Sequence, residues 1–522
     1  MHPPQDSSQR VQPMIKYTPQ IIPVGWEKVL DIGAGRQVFW DDYLVDTEQT
    51  TAGLTINHPT KLEPPFEFDA PWEGNWLSYG NICKIGDTYR LYYITGMAIG
   101  AGDLETDTGR SLVCMIETKD GITWTRPSLG LHEWNGSADN NIVMASGEHL
   151  FDNFLVLWDE NPDCPEDERV KATSMMERRD LALSEGRREL WCYTSPDGIH
   201  FKKGWKMTDS SVPMGGIFDS SNVAFWDAES GKYMGFVRGL HDGPGRGTAG
   251  GLRDIRYMES KDFKTWTNFQ LLDFGDSDDY ELYTNNISRY YRAPHVFVGF
   301  PTRYTERHWL VKNFDYLGGE VNAESRKSFA AVFGAREGFV ITDGLFMSSH
   351  DGLHWHRFDE AYFTPGPEHD YNWVYGDCYP ARGMIETQRP FPHRTSEISM
   401  YMTEGHCRVK PQRLYRHVIR LDGFASYHAD YEKKILITKP FMFEGNQLTL
   451  NFKTSGRGYI YVRVLDFYGK PLDGYTGHEI FGDAYDRPVV FPGGAELSRL
   501  QGMPIRLEFT MSEADLYSMN FS

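Results

Sequence analysis

The sequence predicts an all-β protein, a five-bladed β-propeller followed by a C-terminal β-sandwich. The first observation behind this is a phrase of Ser or Thr, any residue, Asp, usually Gly, and then an aromatic, which occurs four times after short apolar runs. The copies are Thr118–Trp124, Ser195–Phe201, Ser260–Trp266 and Ser349–Trp355, and their aspartates Asp120, Asp197, Asp262 and Asp351 lie 77, 65 and 89 residues apart. A quasi-regular period marks repeated supersecondary units. Asp-Gly is a tight-turn signal, because Gly accepts a left-handed backbone and Asp bonds its own main chain. Hairpins of this size, repeated without intervening helices, read as propeller blades. The second observation is an aromatic content of 14%, which suits side chains packing across strands. The third is 51 Gly and 28 Pro, enough for many turns, beside few helix-period stretches.

Taken in order, residues 1–34 read as a lead-in, 35–423 as the propeller and 424–522 as the sandwich. A strand-like phrase from Val38 to Val45 is expected to pair with the last blade and close the ring, which would remove exposed sheet edges. The first blade follows from Leu77 to Ile94, around the turn Gly86-Asp87. The second is expected over Ser111–Trp205, with two copies of the turn phrase and an inner strand within Phe151–Trp158. The third opens at Phe218–Trp226, the fourth at Asp279–Asn286 and the fifth near Asn372–Asp377. After Asp422-Gly423, runs at Lys434–Thr438, Gln447–Lys453, Gly458–Leu465, Pro488–Phe491, Ile505–Met511 and Leu516–Phe521 read as sandwich strands. In Tyr459–Val464 the side chains alternate, as in a half-buried strand.

The net charge of −20 and the lack of a Lys/Arg cluster argue against a nucleic-acid partner. No apolar run is long enough to span a bilayer. Met1–Gln20 lacks the apolar core of a secretory signal, so a cytoplasmic location is expected. The six cysteines are dispersed without a CxxC pair and read as buried free thiols. No His/Cys/carboxylate spacing matches a zinc site, so no metal is assigned. No cofactor is expected, since no Gly-rich phosphate loop stands between a strand and a helix. Oligomerisation is left open.

Several phrases carry a family resemblance: Pro71–Gly74, Phe218–Asp227, Leu282–Asn285, Gly299–Tyr304 and Phe443–Leu448. From about residue 35 onward the chain resembles the five-bladed propeller glycoside hydrolases. These are the invertase/levanase-like and arabinanase-like superfamily, families 32 and 43 and relatives, some with a C-terminal sandwich. The resemblance implies a glycosidase with carboxylates at the propeller funnel and an oligosaccharide or glycoside as partner. It is a resemblance of fold more than of motif. The invertase-type Trp-Met-Asn-Asp-Pro, Arg-Asp-Pro and Glu-Cys phrases are not present intact. Phe218-Asp219 is the nearest equivalent of the second, and Glu281 stands near the position of the acid.

Glycoside hydrolysis needs two carboxyl groups, one to protonate the leaving oxygen and one ionised as nucleophile or base. A funnel supplies them from different blades. The candidates are therefore acids ahead of inner strands: Glu73, Asp152, Asp219 and Glu281, with Asp377 in the fifth blade. Each also has a structural reading. Asp152 and Asp219 could open a strand with an Asx-turn, Glu281 could belong to a surface acidic run, and Glu73 could anchor its loop. Asp41 and Asp42, though paired, read as the start of a closing strand rather than as a catalytic dyad. The four aspartates of the repeated turn read as structural, because catalysis is asymmetric and they recur in every unit. Trp72, Tyr283, Asn285 and Arg303, together with Asp377, are the candidates for holding sugar. The expected function is an exo-acting glycoside hydrolase. The alternatives are a phosphorylase using Arg253, Arg256 and Arg303 for phosphate, or a carbohydrate-binding propeller without catalysis.

Overall fold

The computed structural model describes residues 29–96, 111–145, 149–151, 153–178, 188–214, 216–242, 251–307, 312–317, 323, 326–327, 339–370, 372–390, 395–406 and 411–522. It is a five-bladed propeller joined to a folded-over C-terminal sheet. Among the described residues no helix is long and apolar enough to cross a membrane.

Blade I pairs Trp76–Ile85, Thr88–Gly96, Leu112–Thr118 and Ile142–Ala145 in order. Blade II pairs Leu155–Trp158, Val170–Arg178, Glu189–Ser195 and Lys202–Asp209, and blade III pairs Val223–Asp227, Lys232–His241, Leu252–Ser260 and Trp266–Leu271. Blade IV pairs Ser288–Tyr290, Ala293–Gly299, Met347–Ser349 and Trp355–Arg357, with a hairpin of Thr302–Glu306 on Val340–Gly344 extending its middle. In blade V, Tyr379–Pro380 and Ile385–Gln388 pair with Ser396–Glu404, which pairs with Gln412–Arg420.

Two expectations need correction. The run from Ser111 belongs to blade I as its third strand, so blades I to IV carry one copy of the turn phrase each. The excursion between Gly96 and Leu112 hid that pairing, because Thr95 and Leu112 are register partners far apart in sequence. Ring closure is made by Thr60–Phe68, which lies antiparallel to Gln412–Arg420 as the outer strand of blade V. Pro64-Pro65 interrupts the strand pattern of this run. Proline is tolerated there because the strand is an edge and its register shifts between Leu414 and Arg416. The stretch near Val38 instead pairs with the C-terminal strand, Gly35↔Phe521 through Val38↔Ser518. Blade V needs no copy of the turn phrase, since its outer strand arrives from the other end of the propeller.

The repeated turn is built alike in blades I to IV. In blade II the Ser195 hydroxyl accepts from the Asp197 and Gly198 amides at 3.3 and 2.9 Å. The Asp197 Oδ1 accepts from Ile199 and His200 at 2.8 and 2.9 Å. The same pattern recurs at Asp120, Asp262 and Asp351. The turn is also an inter-blade key. Gly198 O accepts from the Tyr92 hydroxyl of blade I at 2.8 Å, and Gly121 O accepts from Tyr401 of blade V. The aspartates of the phrase are structural.

The C-terminal sheet is built on two long strands, Leu448–Asp466 and Ile505–Phe521, paired along their length. The two halves of each were expected as separate strands. They are continuous, bending where the register shifts between Thr454 and Tyr459 and where Glu513 takes a left-handed φ of 43°. The bend folds the sheet over its own apolar face, so Leu450, Phe452, Ile460, Val462, Phe509 and Phe521 share one core. The run expected at Pro488–Phe491 is displaced, since the strand there is Asp483–Pro488. Leu30–Asp31, Gly35–Val38 and Gly53–Ile56 all pair within this sheet. Asp422 joins the two bodies. Its carboxylate accepts from Arg292 at 2.8 Å, Tyr290 at 2.6 Å, Arg36 at 3.0 Å and Ser518 at 2.7 Å. Burial alone would push this carboxyl up, but Arg36 and Arg292 outweigh it and hold it below the ordinary range.

The turn key is testable with two glycines of similar φ. A Cβ on Gly198 (φ 75°) would lie 2.4 Å from Ile85 Cδ1 and 2.6 Å from the Tyr92 hydroxyl, whereas one on Gly130 (φ 68°) meets nothing within 4 Å. Gly130→Ala should cost about 1–2 kcal/mol of backbone strain. Gly198→Ala should cost about 1–3 kcal/mol more through overpacking. Equal urea midpoints for the two variants would remove the keying role.

Burial and the neighbouring Lys61 push His417 of blade V down to about 4. The unfolded chain binds a proton there near pH 6.5 and the folded one does not, so stability should fall as pH drops from about 6.5 to 4. His417→Gln should retain on the order of 3 kcal/mol more of its neutral-pH stability at pH 4, read by denaturant titration at both pH values.

Candidate active site

The first strands of the blades face the propeller axis, and main-chain carbonyls at this inner ring are satisfied by asparagine side chains from neighbouring blades. Asn81 donates to Val156 O at 2.5 Å, Asn153 to Phe218 O at 2.8 Å, Asn285 to Ser221 O at 3.1 Å and Asn286 to Pro380 O at 2.7 Å. At this inner ring the backbone is repeatedly left-handed at non-glycine residues. Tyr79 (φ 51°) stands in the first strand of blade I, and Phe218 (58°) and Ser220 (63°) precede that of blade III. Asn286 (49°) and Cys378 (56°) precede those of blades IV and V. Each such residue costs about 1–3 kcal/mol, and they cluster where the fold must aim side chains.

Asp219 sits between two of them. Asn153 and Asn222 both donate to Phe218 O, and the Ser220 hydroxyl donates to Tyr283 O at 2.8 Å, which fixes the turn. The Asp219 side chain is 28% exposed, with Arg188 at 3.3 Å from Oδ2 and Arg238 at 3.6 Å from Oδ1. Its Oδ1 is buried and accepts no hydrogen bond. Arg238 comes from the second strand of blade III, donates to Tyr283 O at 2.7 Å, and lies 4.6 Å from the Tyr283 ring centroid. Glu281 approaches from the blade IV side and is paired with Arg253, whose guanidinium covers Tyr304 at 4.2 Å and Tyr283 at 5.5 Å.

Tyr283 is the common neighbour of these groups. Its hydroxyl meets those of Tyr375 at 2.7 Å and Tyr79 at 3.4 Å, and its ring stacks on Tyr379 at 5.5 Å. Burial and the nearby Asp219 charge raise its phenol above the ordinary range. Beyond Arg253, His241 is held between Asp254 at 3.1 Å and Asp279 at 3.0 Å. Burial would lower its pKa, but Asp279 and Asp254 outweigh burial and raise it. Asp254 is also paired with Arg256 at 3.0 Å. The arrangement thus offers carboxylates, phenols and a protonatable imidazole along an aromatic wall.

The other expected residues lie elsewhere or are otherwise engaged. Glu73 is fully buried. It accepts from Tyr93 at 2.5 Å, from Arg126 at 3.1 and 2.9 Å and from the Ala70 amide at 3.0 Å. Trp72 donates to Asn141 at 2.7 Å in the same blade I cluster. Asn285 is a buried clasp between blades III and IV. Arg303 pairs its main chain with Leu282, but its guanidinium goes to Asp343 at 2.9 and 2.6 Å. Asp377 is buried and accepts from the Val374 amide at 2.9 Å. Asp152 lies outside the described residues. Asp41 bonds Ser348 at 2.8 Å and His350 at 3.2 Å on the side facing the C-terminal sheet.

The sequence reading missed Arg238, Arg188, His241 and the tyrosines at 79, 375 and 379. Arg238 left a signal, a lone cation inside the apolar strand Tyr233–Leu240. The tyrosines left none, since aromatics are abundant in every blade. Among the described residues no group of three or more His, Cys, Asp or Glu is placed to hold a metal.

No protein-family model matches the chain, and no curated protein matches it in sequence. Solved structures do resemble it in shape. One is an N-acetylgalactosamine deacetylase from F. plautii, 10% identical, with 70% of this chain and 95% of that chain covered at a TM-score of 0.41. Another is a family 32 beta-fructofuranosidase of Bombyx mori, 9% identical, with 89% and 95% covered at a TM-score of 0.40. A third belongs to the GH130 mannoside phosphorylase family, which contains glycoside hydrolases that target beta-1,2 mannosidic linkages in Candida mannan. It is 13% identical, with 74% and 94% covered at a TM-score of 0.37. Likeness at this level bears on shape and leaves the chemistry to the residues themselves.

The Glu73 pair yields a prediction. Glu73→Gln leaves the Arg126 guanidinium with only the exposed Asp69 carboxylate at 3.0 Å as counter-charge and weakens the buried hydrogen bonds at Glu73, which should cost about 1–3 kcal/mol. A thermal melt unchanged from the parent would mean that the pair does not anchor the loop.

Proposed function

We propose that the protein is a glycoside hydrolase acting at the cluster around Asp219. The observation that carries this reading is Asp219 itself. Two left-handed neighbours hold a part-exposed carboxylate between Arg188 and Arg238, beside the tyrosines. Backbone strain maintained around a part-exposed carboxylate is a mark of function. In this reading Asp219 serves as the ionised carboxylate, attacking the anomeric carbon or activating a water. Glu281 supplies the second carboxyl group that the reaction requires. Tyr375, half-buried, is the tyrosine of this cluster that a sugar ring can reach, and the buried Tyr79, Tyr283 and Tyr379 pack around it. A site at the inner edges of the blades takes chain ends, so we assign exo-action on short oligosaccharides.

The phosphorylase alternative requires cationic groups for phosphate. Arg238, Arg253, Arg256 and Arg303 already face Asp219, Glu281, Asp254 and Asp343. That commitment favours hydrolysis.

The test is turnover of an aryl-glycoside and oligosaccharide panel, with and without phosphate, read by mass spectrometry. Phosphate-independent release of a terminal sugar is expected. Asp219→Asn should lower kcat/KM at least about a hundredfold while the melting temperature stays close to that of the parent. Sugar phosphate as product would replace hydrolysis by phosphorolysis, and full activity in Asp219→Asn would remove the site.

A further inference from the structure

The loop between the first two strands of blade II holds a buried amine against a thiol. Lys171, at the start of Val170–Arg178, is 3% exposed, and its Nζ lies 3.0 Å from Cys164 Sγ. Nζ also donates to Asp159 Oδ2 at 2.6 Å and to Glu168 O at 3.0 Å. Asp159 is fully buried and accepts from the Tyr233 hydroxyl of blade III at 2.9 Å, which fixes the carboxylate and, through it, the amine. Arg169 closes the loop from the other side, donating to the carbonyls of Asp159, Asn161 and Cys164 at 2.9, 2.7 and 2.7 Å. The loop is at the surface, with Asp163, Pro165, Glu166 and Asp167 exposed.

This pairing is selective. The other described thiols, Cys83, Cys114, Cys192 and Cys378, are buried within the blades and accept no hydrogen bond from a lysine. The thiolate is the oxidisable form of cysteine; burial raises the Cys164 thiol, and the adjacent Lys171 ammonium offsets part of that rise. Sulfenic acid formed next to a nitrogen places its oxygen beside that nitrogen, where a second oxidation can join the two. At Cys164 the nearest such group is a lysine amine whose position is already set by three acceptors.

We propose that Cys164 and Lys171 are an oxidative cross-linking site, joined through one oxygen atom as Cys–S–O–NH–Lys when the protein meets hydrogen peroxide. The balance is one thiol, one amine and two peroxides giving the bridge and three waters. The thiol S–H, one amine N–H and two peroxide O–O bonds break, and one S–O and one O–N bond form. The first peroxide oxidises sulfur to the sulfenic acid. The second removes the two electrons that let oxygen bond nitrogen, and is itself reduced to water. The separation of 3.0 Å suits a single bridging atom better than a direct S–N bond, which would draw Nζ away from Asp159 and Glu168.

The test uses the full chain, reduced, freed of reductant and treated with hydrogen peroxide, followed by non-reducing peptide mapping. The expected product links the Cys164 and Lys171 peptides with a gain of one oxygen and a loss of two hydrogens. Excess dithiothreitol should return the free thiol and amine. Cys164→Ser, which keeps a small polar group beside Lys171, and Lys171→Arg should each abolish the linked product. Cys164 found as sulfinic or sulfonic acid with a free Lys171 peptide would overturn the proposal. A link lacking the oxygen would overturn the bridge. Peptides unchanged at peroxide levels that oxidise surface methionines would overturn it as well.

Discussion

A propeller exists only if its ring closes, and here everything rests on Thr60–Phe68 lying against Gln412–Arg420. Within a blade the strands satisfy one another through ladder bonds. Between blades the main chain meets at isolated bridges such as Asn81↔Arg382 and Asp273↔His354, and the rest of the contact is apolar side chains and inner-edge asparagines. Closing the last blade with a strand from the other end turns the weakest junction into a continuous sheet. The edge of blade V is then Thr60–Phe68, whose Pro64-Pro65 blunts it against pairing with another chain. Closure then allows the inner asparagines to reach the next blade's carbonyls. These groups would be costly to bury unpaired.

The same closure places Asp422 where the chain leaves blade V. Its carboxylate gathers Arg292 and Tyr290 from blade IV with Arg36 and Ser518 from the C-terminal sheet, and its own carbonyl accepts from Trp40 at 2.9 Å. A buried ionic cluster of this kind contributes little net stability once desolvation is counted. Its use here is geometric, because each partner lies on a different element and only one docking satisfies all of them. The apolar contact beneath it, including Trp40 against Tyr290 and Phe424, supplies the attraction.

At the inner ring, the polar and strained features are one arrangement. Arg238 bridges Asp219, the Ser220 hydroxyl and the Tyr283 carbonyl, and thus holds the left-handed turn and the tyrosine wall together. Arg253 does the corresponding work for Glu281 and Tyr304. These arginines are committed to neighbouring groups, and Asp219, 28% exposed, is the acid of the cluster that reaches solvent. The C-terminal sheet does not contribute to this site, and its role is to brace blades IV and V from the other side.

Much of the architecture was legible in the residues, and for a local reason. The turn phrase uses bonds between residues two and three apart, as Asp197 does with Ile199 and His200, so sequence spacing encodes it directly. The alternation of Ile460, Val462 and Val464 reports one buried face in the same way. Asp219 and Glu281 were legible as acids ahead of inner strands, though not their arginine partners. What local pattern cannot express is pairing across the whole chain. Pro64-Pro65 concealed the closing strand, because its acceptability depends on being an edge, and an edge is defined by strands hundreds of residues away. Short-range spacing was therefore enough for the repeats, the turns and the alternating faces. It was not enough to say which ends meet, that Glu73 lies buried against Arg126 while Asp219 stays part-exposed, or that Lys171 touches Cys164. Those outcomes depend on distances between separate segments, and only the closed ring sets them.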